Sequence, residues 1–394
     1  MDGCDTEAVA FRSVLSRRPT LPGAAARAAT GAPACAGATC RRSRGYVDLM
    51  RIGLSINYSG GFKEAAAEVA DLERAGLDVV FVPEAYSFDA VSGLGYLAAK
   101  TERLQLASGI LQLYTRTPTL TAMTAAGLDY VSDGRYILGL GASGPQVIEG
   151  FHGVAYDAPI GRTRELVEIC RKVWRREKLE YQGKYYRIPL PEAEGTGLGK
   201  PLKLINHPVR ERIPVLLAAL GPKNVELAAE IAEGWQPIFF LPEKAKQVWG
   251  EAVDAGKAKR DPALGELEIY AGPALAIGED VEPLLEFVKP MIALYIGGMG
   301  AKSKNFYHAL ATRYGYGPEA DRIQELYLAG KKDEAVRVVP DQLVRDVSLI
   351  GPLGYVKERV AAFREAGVTT LNVAPLAATA ADRVRLIEQL RTIV

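Results

Sequence analysis

The sequence predicts an α/β protein whose eight parallel strands close into a (β/α)8 TIM barrel with insertions. From Met50 onward, short β-branched or apolar runs alternate with longer amphipathic segments, which is typical of a parallel sheet with crossover helices. The number of strand-like runs is eight, which a closed barrel of this kind requires. Gly76, Gly234 and Gly367 each stand next to the start of a predicted strand, as expected where the preceding helix ends.

Each predicted strand is a short run of apolar and β-branched residues, and each predicted helix can present one apolar face. The strands are predicted over residues 51–57, 78–83, 104–110, 136–140, 213–218, 234–239, 267–277 and 369–374. The helices between them include residues 62–75, 118–131, 162–177, 224–232, 242–259 and 355–366.

Three segments lie outside a minimal barrel. Residues 1–49 are rich in Ala, Arg, Gly and Pro, and we interpret them as a disordered N-terminal extension, with a targeting segment as the alternative. Residues 50–394 are then predicted to form a single barrel domain with insertions at about 179–201 and 290–351. The first insertion begins as a hairpin that turns at Gln182-Gly183. We expect both insertions to shape the substrate side, with packing or oligomer contacts as the alternative.

Composition excludes several classes of function. The formal charge of +1 provides no electrostatic reason to expect a nucleic-acid partner. No run of 18 apolar residues is present, so no transmembrane helix is predicted. Three of the four cysteines fall in the first forty residues, far from the histidines, which argues against both a disulfide framework and a metal site. We therefore predict a cytoplasmic protein without a metal, acting on a small molecule.

The segment Gly139 to Gly144 spells G-x-G-x-x-G, which is often a dinucleotide-binding turn. In that motif an acidic residue should end the next strand about 20 residues later. Here the acidic residues at that distance, Glu165 and Glu168, fall inside a helical pattern. The motif is therefore interpreted as the loop after the fourth strand of a closed barrel.

Active sites of such barrels are built from the carboxyl ends of the strands. The residues there are mostly glycine and tyrosine with one carboxylate, and neither a Ser/His/Asp arrangement nor a metal-binding cluster is evident. Such a set suits a flat cofactor that supplies its own chemistry.

The body of the chain resembles the luciferase-like monooxygenase superfamily, and within it the coenzyme F420-dependent oxidoreductases related to methylenetetrahydromethanopterin reductase. Five segments carry this resemblance, in this order: RIGLSIN, VVFVPEAY, LQLASGI, YILGLGASGPQVIEGFHG and IPVLLAALGPKNVELAAEIAEGWQP. The resemblance implies a bacterial luciferase-like barrel that transfers a hydride between the deazaflavin of F420 and a small organic substrate. It also implies a non-prolyl cis peptide at Gly109-Ile110, forming a backbone bulge behind the ring.

The cofactor-binding residues that the resemblance implies lie at strand ends and in the loops that follow. They are Asn57, Ser108, Gly109, Ile110, Gly141, Ala142, Ser143, Gly144, Gly221, Pro222, Lys223 and Asn224. The last four would offer main-chain donors and a helix N-terminus to a phosphate. Many members carry a histidine after the acidic residue of the second strand, but this chain has Ala85.

Because that histidine is absent, proton transfer would fall to Glu84 or to a nearby tyrosine, with Tyr86 as the first candidate and Tyr58 and Tyr114 as others. Solvent could also supply the proton. His152 is expected to order its loop. Two other functions stay open: an FMN-dependent monooxygenase on the same fold, and a non-catalytic deazaflavin-binding protein. A homodimer is the expected assembly.

Overall fold

The last strand of the chain pairs with the first, and this pairing closes the sheet into a barrel. In the computed structural model, which describes residues 50–57, 61–300, 302 and 305–394, Arg51 lies opposite Thr370 and Leu54 opposite Val373, in parallel. The predictions for residues 1–49 and for Tyr58 lie outside the described residues.

The strands of the described chain are β1 (Arg51–Ser55), β2 (Val79–Val82), β3 (Gln105–Ser108), β4 (Leu111–Gln112), β5 (Tyr136–Gly141), β6 (Tyr181–Gln182), β7 (Arg187–Ile188), β8 (Val215–Ala218), β9 (Gly234–Gln236), β10 (Glu268–Ala271), β11 (Ala274–Ile277), β12 (Leu349–Gly351) and β13 (Thr370–Pro375). Eight of them are parallel and follow one another around the barrel in the order β1-β2-β3-β5-β8-β9-β10-β13, and β13 returns to β1. The predicted (β/α)8 TIM barrel is confirmed.

Helices surround the barrel and also fill the segment before β12. They are α1 (Phe62–Arg74), α2 (Ala90–Ala98), α3 (Pro118–Val131), α4 (Pro145–Ile148), α5 (Pro159–Trp174), α6 (Pro222–Ile231), α7 (Pro242–Lys257), α8 (Lys289–Gly298), α9 (Phe306–Tyr314), α10 (Gly317–Leu328), α11 (Lys332–Arg337), α12 (Asp341–Asp346), α13 (Leu353–Glu365) and α14 (Ala380–Arg391). The first insertion contributes the β6–β7 hairpin, and the second contributes α8 to α12 and β12.

The hydrophobic core has two layers. The larger one lies between the sheet and the helices. A smaller cluster fills the barrel interior, where the side chains of alternate strand residues meet. It consists of Val79, Phe81, Ala107, Ile137, Leu216 and Tyr270.

Three details differ from the predicted elements. The third predicted strand is divided into β3 and β4. Ala107 of β3 lies opposite Ile137, and Leu111 of β4 lies opposite Leu140. The segment between β3 and β4 therefore holds one residue more than the stretch of β5 beside it. That is a β-bulge. The seventh predicted strand is interrupted at residues 272–273, where Pro273 has no N–H to donate. The hairpin turns over residues 183–186 rather than at Gln182-Gly183, because Gln182 still pairs with Arg187.

Candidate active site

The carboxyl ends of the barrel strands surround one opening, which we call the barrel mouth. The loops after β2, β5, β8 and β9, together with the bulge between β3 and β4, form its rim. Three residues other than glycine with a positive φ lie in these loops: Ala85 (46°), Ser143 (59°) and Phe239 (50°). Such backbone is uncommon and concentrates at binding sites.

Glu84 lies in the loop after β2 and is only 8% exposed. Its two carboxylate oxygens accept hydrogen bonds from the two terminal nitrogens of Arg116, at 2.7 and 2.8 Å. One oxygen also accepts from the Ala90 amide at 3.2 Å. Hydrogen bonds to Glu84 raise the pKa of the Arg116 guanidinium, although burial acts in the opposite direction. The carboxylate is therefore engaged as an anchor of the loop, and the role of Glu84 in proton transfer stays a prediction.

The next two residues of this loop are held differently. The carbonyl oxygen of Ala85 accepts a hydrogen bond of 2.7 Å from the side-chain amide of Gln112. Tyr86 is 65% exposed, and its ring lies 6.0 Å from that of Phe151 in the loop after β5. Gln112 and Arg116 thus clamp the loop, and Tyr86 remains the accessible candidate for proton transfer.

The bulge between β3 and β4 contains the Gly109-Ile110 peptide bond, which is cis, as predicted. The side chain of Ile110 lies over Gly141, where a Cβ atom would come within 3.0 Å of it. Ser108 is fully buried, and its hydroxyl donates to the carbonyl of Gly139 at 2.8 Å and accepts from the Gly139 amide at 2.9 Å. The Ser108 side chain therefore joins β3 to β5, and a ligand could meet only its main chain. The predicted contact of Ser108 with the cofactor stays a prediction.

The glycine motif belongs to β5 and the loop after it. A Cβ on Gly139 would lie 1.8 Å from the Ser108 carbonyl oxygen, so Gly139 permits the close approach of β3. Only Ala142, Ser143 and Gly144 form the loop, and Gly144 precedes a helix of four residues. The motif thus covers the end of the fourth barrel strand and the loop after it, as predicted, and is not a dinucleotide-binding turn.

Gly221 precedes α6, and Pro222 is the first residue of this ten-residue helix. Pro222 has no N–H, and the Asn224 amide already donates to the Gly221 carbonyl at 3.0 Å. This leaves the main-chain amide and the exposed ammonium of Lys223 for an anion. The cofactor-binding role of Gly221, Pro222, Lys223 and Asn224 stays a prediction, with Lys223 and the helix start as its donors.

Two buried amide oxygens at the barrel mouth have no hydrogen-bond partner among the described residues: Oε1 of Gln112 and Oε1 of Gln236. The Gln112 amide cannot turn over without losing its bond to Ala85, so its oxygen stays an unsatisfied acceptor. A buried acceptor without a donor costs free energy, which a ligand N–H or O–H recovers. Nearby, Asn372 donates to the Ser55 hydroxyl at 3.1 Å. These neutral groups fit the edge of a planar heterocycle with a ring N–H.

The remaining predicted residues occupy the rim. Asn57 is exposed after β1. Tyr114 donates to the Asp157 carbonyl at 2.8 Å and its ring lies 5.2 Å from that of Tyr156. Burial raises the pKa of Tyr114. His152 has its Nε2 buried and unpartnered within the described chain.

The sequence did not predict three residues of the site. Arg116 lies 32 positions from Glu84, and no spacing rule connects them. Gln236 and Asn372 carried a signal that could have been used, because each is a lone amide in an apolar strand at an inward position. Among the described residues there is no group of three or more His, Cys, Asp or Glu side chains that could hold a metal. In the same part of the chain, no helix has the length and apolar character to cross a membrane.

Comparison with known proteins agrees with this geometry. A Mycobacterium tuberculosis protein provisionally named a coenzyme F420-dependent oxidoreductase is 42% identical over 341 residues, covering 85% of this chain and 97% of that protein. The coenzyme F420-dependent tetrahydromethanopterin reductase of Methanopyrus kandleri superposes with a TM-score of 0.72 at 22% identity, covering 88% of this chain and 98% of that one.

A flavin protein shares the same fold. The oxygenating constituent of 3,6-diketocamphane monooxygenase from Pseudomonas putida, in complex with FMN, superposes with a TM-score of 0.59 at 20% identity, over 88% of this chain and 98% of that one. The family model for luciferase-like monooxygenases matches residues 43–370. With a closed barrel, a bulged third strand and this match over most of its length, the chain belongs to the luciferase-like monooxygenase family.

Proposed function

We propose that the protein is an oxidoreductase that binds coenzyme F420 and transfers a hydride between its deazaflavin and a small organic substrate. The observation that carries this proposal is the pair of buried amide oxygens, Gln112 Oε1 and Gln236 Oε1, that have no hydrogen-bond partner in the described part of the chain. The 42% identity to the mycobacterial relative supports F420 as the cofactor. When bound, the deazaflavin supplies the hydride chemistry at its C5 carbon.

The chain's own residues then position and surround the ring. Ile110 and Gly141 offer a flat apolar contact, because the isoleucine side chain packs over the glycine. Gln112 and Gln236 offer acceptors to the ring N–H. The exposed start of α6, with Lys223, would receive the phosphate of the cofactor tail. The other predicted contacts are proposed as main-chain neighbours of the cofactor. They are Asn57, Gly109 and Ala142 to Gly144.

Proton transfer is assigned to Tyr86, which is exposed at the rim and lies beside Phe151. Glu84 is proposed as a positioning residue, since Arg116 and the Ala90 amide engage its carboxylate. If Tyr86 donates the proton, Tyr86→Phe lowers kcat and alters its pH profile while F420 affinity is unchanged. An unchanged profile would assign the proton to solvent.

The proposal is tested by titrating the purified protein with oxidised and reduced F420 and with FMN, and following the fluorescence of each cofactor. Binding of F420 in the micromolar range is expected, with FMN weaker. If neither cofactor binds, the proposal fails.

The fold neighbour that contains FMN favours one alternative, an FMN-dependent monooxygenase. Oxygen consumption with reduced FMN but not with reduced F420 would establish it. The third candidate is a non-catalytic deazaflavin-binding protein, for which Ala85 in place of the family's histidine is the supporting observation. Tight F420 binding without turnover across a substrate panel would favour it.

We also propose a homodimer that uses the outer face of α3. This helix has one charged residue, Asp129, which is fully buried and bound by Arg210. Its exposed side chains include Leu120, Met123 and Tyr130, which are 46%, 53% and 67% exposed. An exposed helix face made of large apolar side chains favours a second surface that covers it, and an identical chain is the commonest one. Light scattering should give a dimer for the wild type and a monomer for Met123→Glu.

For the location of the protein, we propose the cytoplasm, where the buried free thiol of Cys170 would stay reduced. Fractionation of cells with an antibody against the protein tests this, and recovery outside the cytoplasmic fraction would contradict it.

A further inference from the structure

The connection from β5 to α5, residues 142–158, contains the end of the glycine motif and the short helix α4. Near each of its ends stands a residue other than glycine with a positive φ, Ser143 at 59° and Ala158 at 44°. Such a residue is strained in this left-handed backbone and keeps it only where surrounding contacts hold it. The contacts at the two ends therefore decide the shape of this part of the barrel mouth.

Tyrosine side chains hold the first end. The Tyr156 hydroxyl donates to the Ser143 carbonyl at 3.4 Å, and the Tyr156 amide donates to a carboxylate oxygen of Glu149 at 3.1 Å. The Tyr156 ring lies 5.2 Å from that of Tyr114, whose hydroxyl donates to the Asp157 carbonyl at 2.8 Å. Residues 156 and 157 thus link Ser143 to Tyr114 in the loop after β4.

An ion pair holds the second end. Nε and Nη2 of Arg162, near the start of α5, donate to the two carboxylate oxygens of Asp157, both at 3.0 Å. The main-chain amide of Arg162 donates to the Ala158 carbonyl at 3.0 Å. Hydrogen bonds from Arg162 lower the pKa of Asp157, so the carboxylate is ionised at neutral pH. The pair therefore spans the left-handed Ala158, from the residue before it to a residue in the following helix.

The hairpin of the first insertion fixes the orientation of the Arg162 side chain. The guanidinium carbon lies 5.5 Å from the ring centroids of both Tyr185 and Tyr186, within reach of cation–π attraction. The hairpin itself is attached to α5 by Glu165, which is buried and accepts hydrogen bonds from the three successive amides of residues 184–186, at 2.8, 3.0 and 2.9 Å. The first insertion thereby holds Arg162 where it meets Asp157.

These contacts matter more for the order of the connection than for global stability. Asp157 and Arg162 are 52% and 23% exposed, and ion pairs this close to solvent contribute little to the free energy of unfolding. Two parallel hydrogen bonds nevertheless fix one relative geometry of the two side chains. Loss of the pair would free Ala158 to leave its strained backbone, whereas the barrel core, which contains neither side chain, would stay intact.

We propose that Arg162 is a positioning residue for cofactor binding. Paired with Asp157 and held by the hairpin, it keeps residues 142–158 in the conformation that presents Ser143 and Gly144 to the cofactor. A protein that populates its binding conformation only part of the time has an affinity reduced by that fraction. The first insertion thus acts on the site through Arg162. The inference rests on the proposed function for the identity of the ligand.

The test compares Arg162→Gln, Asp157→Asn and the double variant with the wild type, by stopped-flow fluorescence of F420. Each single variant should bind F420 about fivefold more weakly, through slower association at an unchanged dissociation rate, because fewer molecules are competent to bind. The double variant should also lose about fivefold rather than about 25-fold, since both substitutions remove the same link.

Arg164→Gln is the matched control. Arg164 also lies on α5 and forms a two-pronged ion pair, with Glu230 at 2.8 and 2.7 Å, but this pair joins α5 to α6. It should leave the association rate of F420 unchanged. Hydrogen exchange of the free protein adds a measurement that needs no cofactor. The amides of residues 142–158 should exchange faster in Arg162→Gln than in the wild type, and not in Arg164→Gln.

An unchanged association rate in Arg162→Gln, unchanged exchange of residues 142–158, or losses that multiply in the double variant would each overturn the role of Arg162. If the wild type does not bind F420, the proposed function fails instead, and the exchange measurement still decides whether Arg162 orders the connection.

Discussion

The two ends of the barrel interior are filled in opposite ways. At the amino end, Arg51 donates to Thr370 at 3.1 Å, to Gln105 at 3.0 Å and to Tyr270 at 2.8 Å, and it pairs with Glu268. At the carboxyl end, the inward positions include Gly109, Gly141 and Ala218, and two amide oxygens there have no partner within the described ranges.

The contrast shows how one set of strands can serve both stability and binding. Long side chains with satisfied polar groups close the amino end, whereas small residues leave the carboxyl end open for a ligand. This division agrees with the general placement of active sites in such barrels. The amino end is therefore expected to respond to mutation in stability alone, and the carboxyl end in binding as well.

The largest effect is expected from Gly139→Ala, which places a methyl group 1.8 Å from the Ser108 carbonyl oxygen. Because the obstacle is backbone, β3 and β5 must separate, and the cost should be about 3 kcal/mol of unfolding free energy. Urea unfolding measures it. Gly95→Ala is the control, since nothing lies within 4 Å of its Cβ position, and it should be neutral or stabilising. Similar costs for both would contradict the close approach.

Arg51→Ala removes the centre of the amino-end network and leaves Glu268 and Gln105 without it. Because Arg51 and Glu268 are 27% and 35% exposed, solvent compensates in part, and about 2 kcal/mol of stability should be lost. F420 affinity should not change. A coupled loss of affinity would show that the two ends are not independent.

Arg116→Gln tests the clamp at the other end, because it leaves Glu84 buried without its ion pair. The variant should lose about 2 kcal/mol at pH 7 and weaken F420 binding. Burial alone would raise the pKa of Asp89, but bonds from Ser92 and the charge of Arg116 lower it. In the wild type, the contribution of ionised Asp89 to folding stability is therefore complete above the ordinary pKa of aspartate. It is lost as the pH falls through the lower pKa of Asp89 in the folded protein.

The variant should therefore show a smaller loss of stability below the ordinary pKa of aspartate, as measured by unfolding from about pH 5 down to about pH 2. Arg385→Gln is the control, since Arg385 forms an exposed ion pair on α14. An acid profile like that of the wild type would argue against the clamp.

Gln236→Leu separates binding from stability. It replaces an unsatisfied buried oxygen with an apolar group of similar size, so the free protein should keep its stability or gain up to about 1 kcal/mol. F420 affinity should fall by about tenfold, because the ring loses an acceptor. Fluorescence titration measures the affinity, and thermal unfolding measures the stability. Lower stability with unchanged affinity would show that the oxygen has a structural role.

Lys223→Ala should have the smallest effect. Its side chain is exposed, so the stability should not change, and F420 binding should weaken by about threefold at low salt. The effect should disappear in high salt because the ionic contact is screened. An effect that is independent of salt would indicate that Lys223 does not meet the phosphate.

The sequence predicted the barrel closely because strand and helix periods are local properties. The predicted helix over residues 118–131 coincides with α3, and the predicted first and second strands contain β1 and β2. The extra strand β12 was missed because it is three residues long and follows a helical insertion. The bulge was expected only from the family resemblance, since nothing in Ser108, Gly109 and Ile110 encodes a register shift by itself.

The predicted site residues lie at strand ends, as the sequence placed them, and their roles stay predictions. What the sequence could not predict is their partners: Ser108 bonds to Gly139 on β5, and Arg116 binds Glu84. The contact of Phe306 with Gly221 was not predicted, because the two residues lie 85 positions apart and no local pattern connects them.

The sequence by itself determined the order of strands and helices, the glycine positions where backbones approach, and the neutral character of the strand ends. These follow from side-chain size, backbone freedom and periodicity, all of which act over a few residues. Only the tertiary structure decided which polar atoms are satisfied and which are left for a ligand. Arg116 satisfies Glu84, whereas the oxygens of Gln112 and Gln236 find no donor among the residues that the structure describes, because hydrogen-bond partners are set by packing between segments that are distant in the chain.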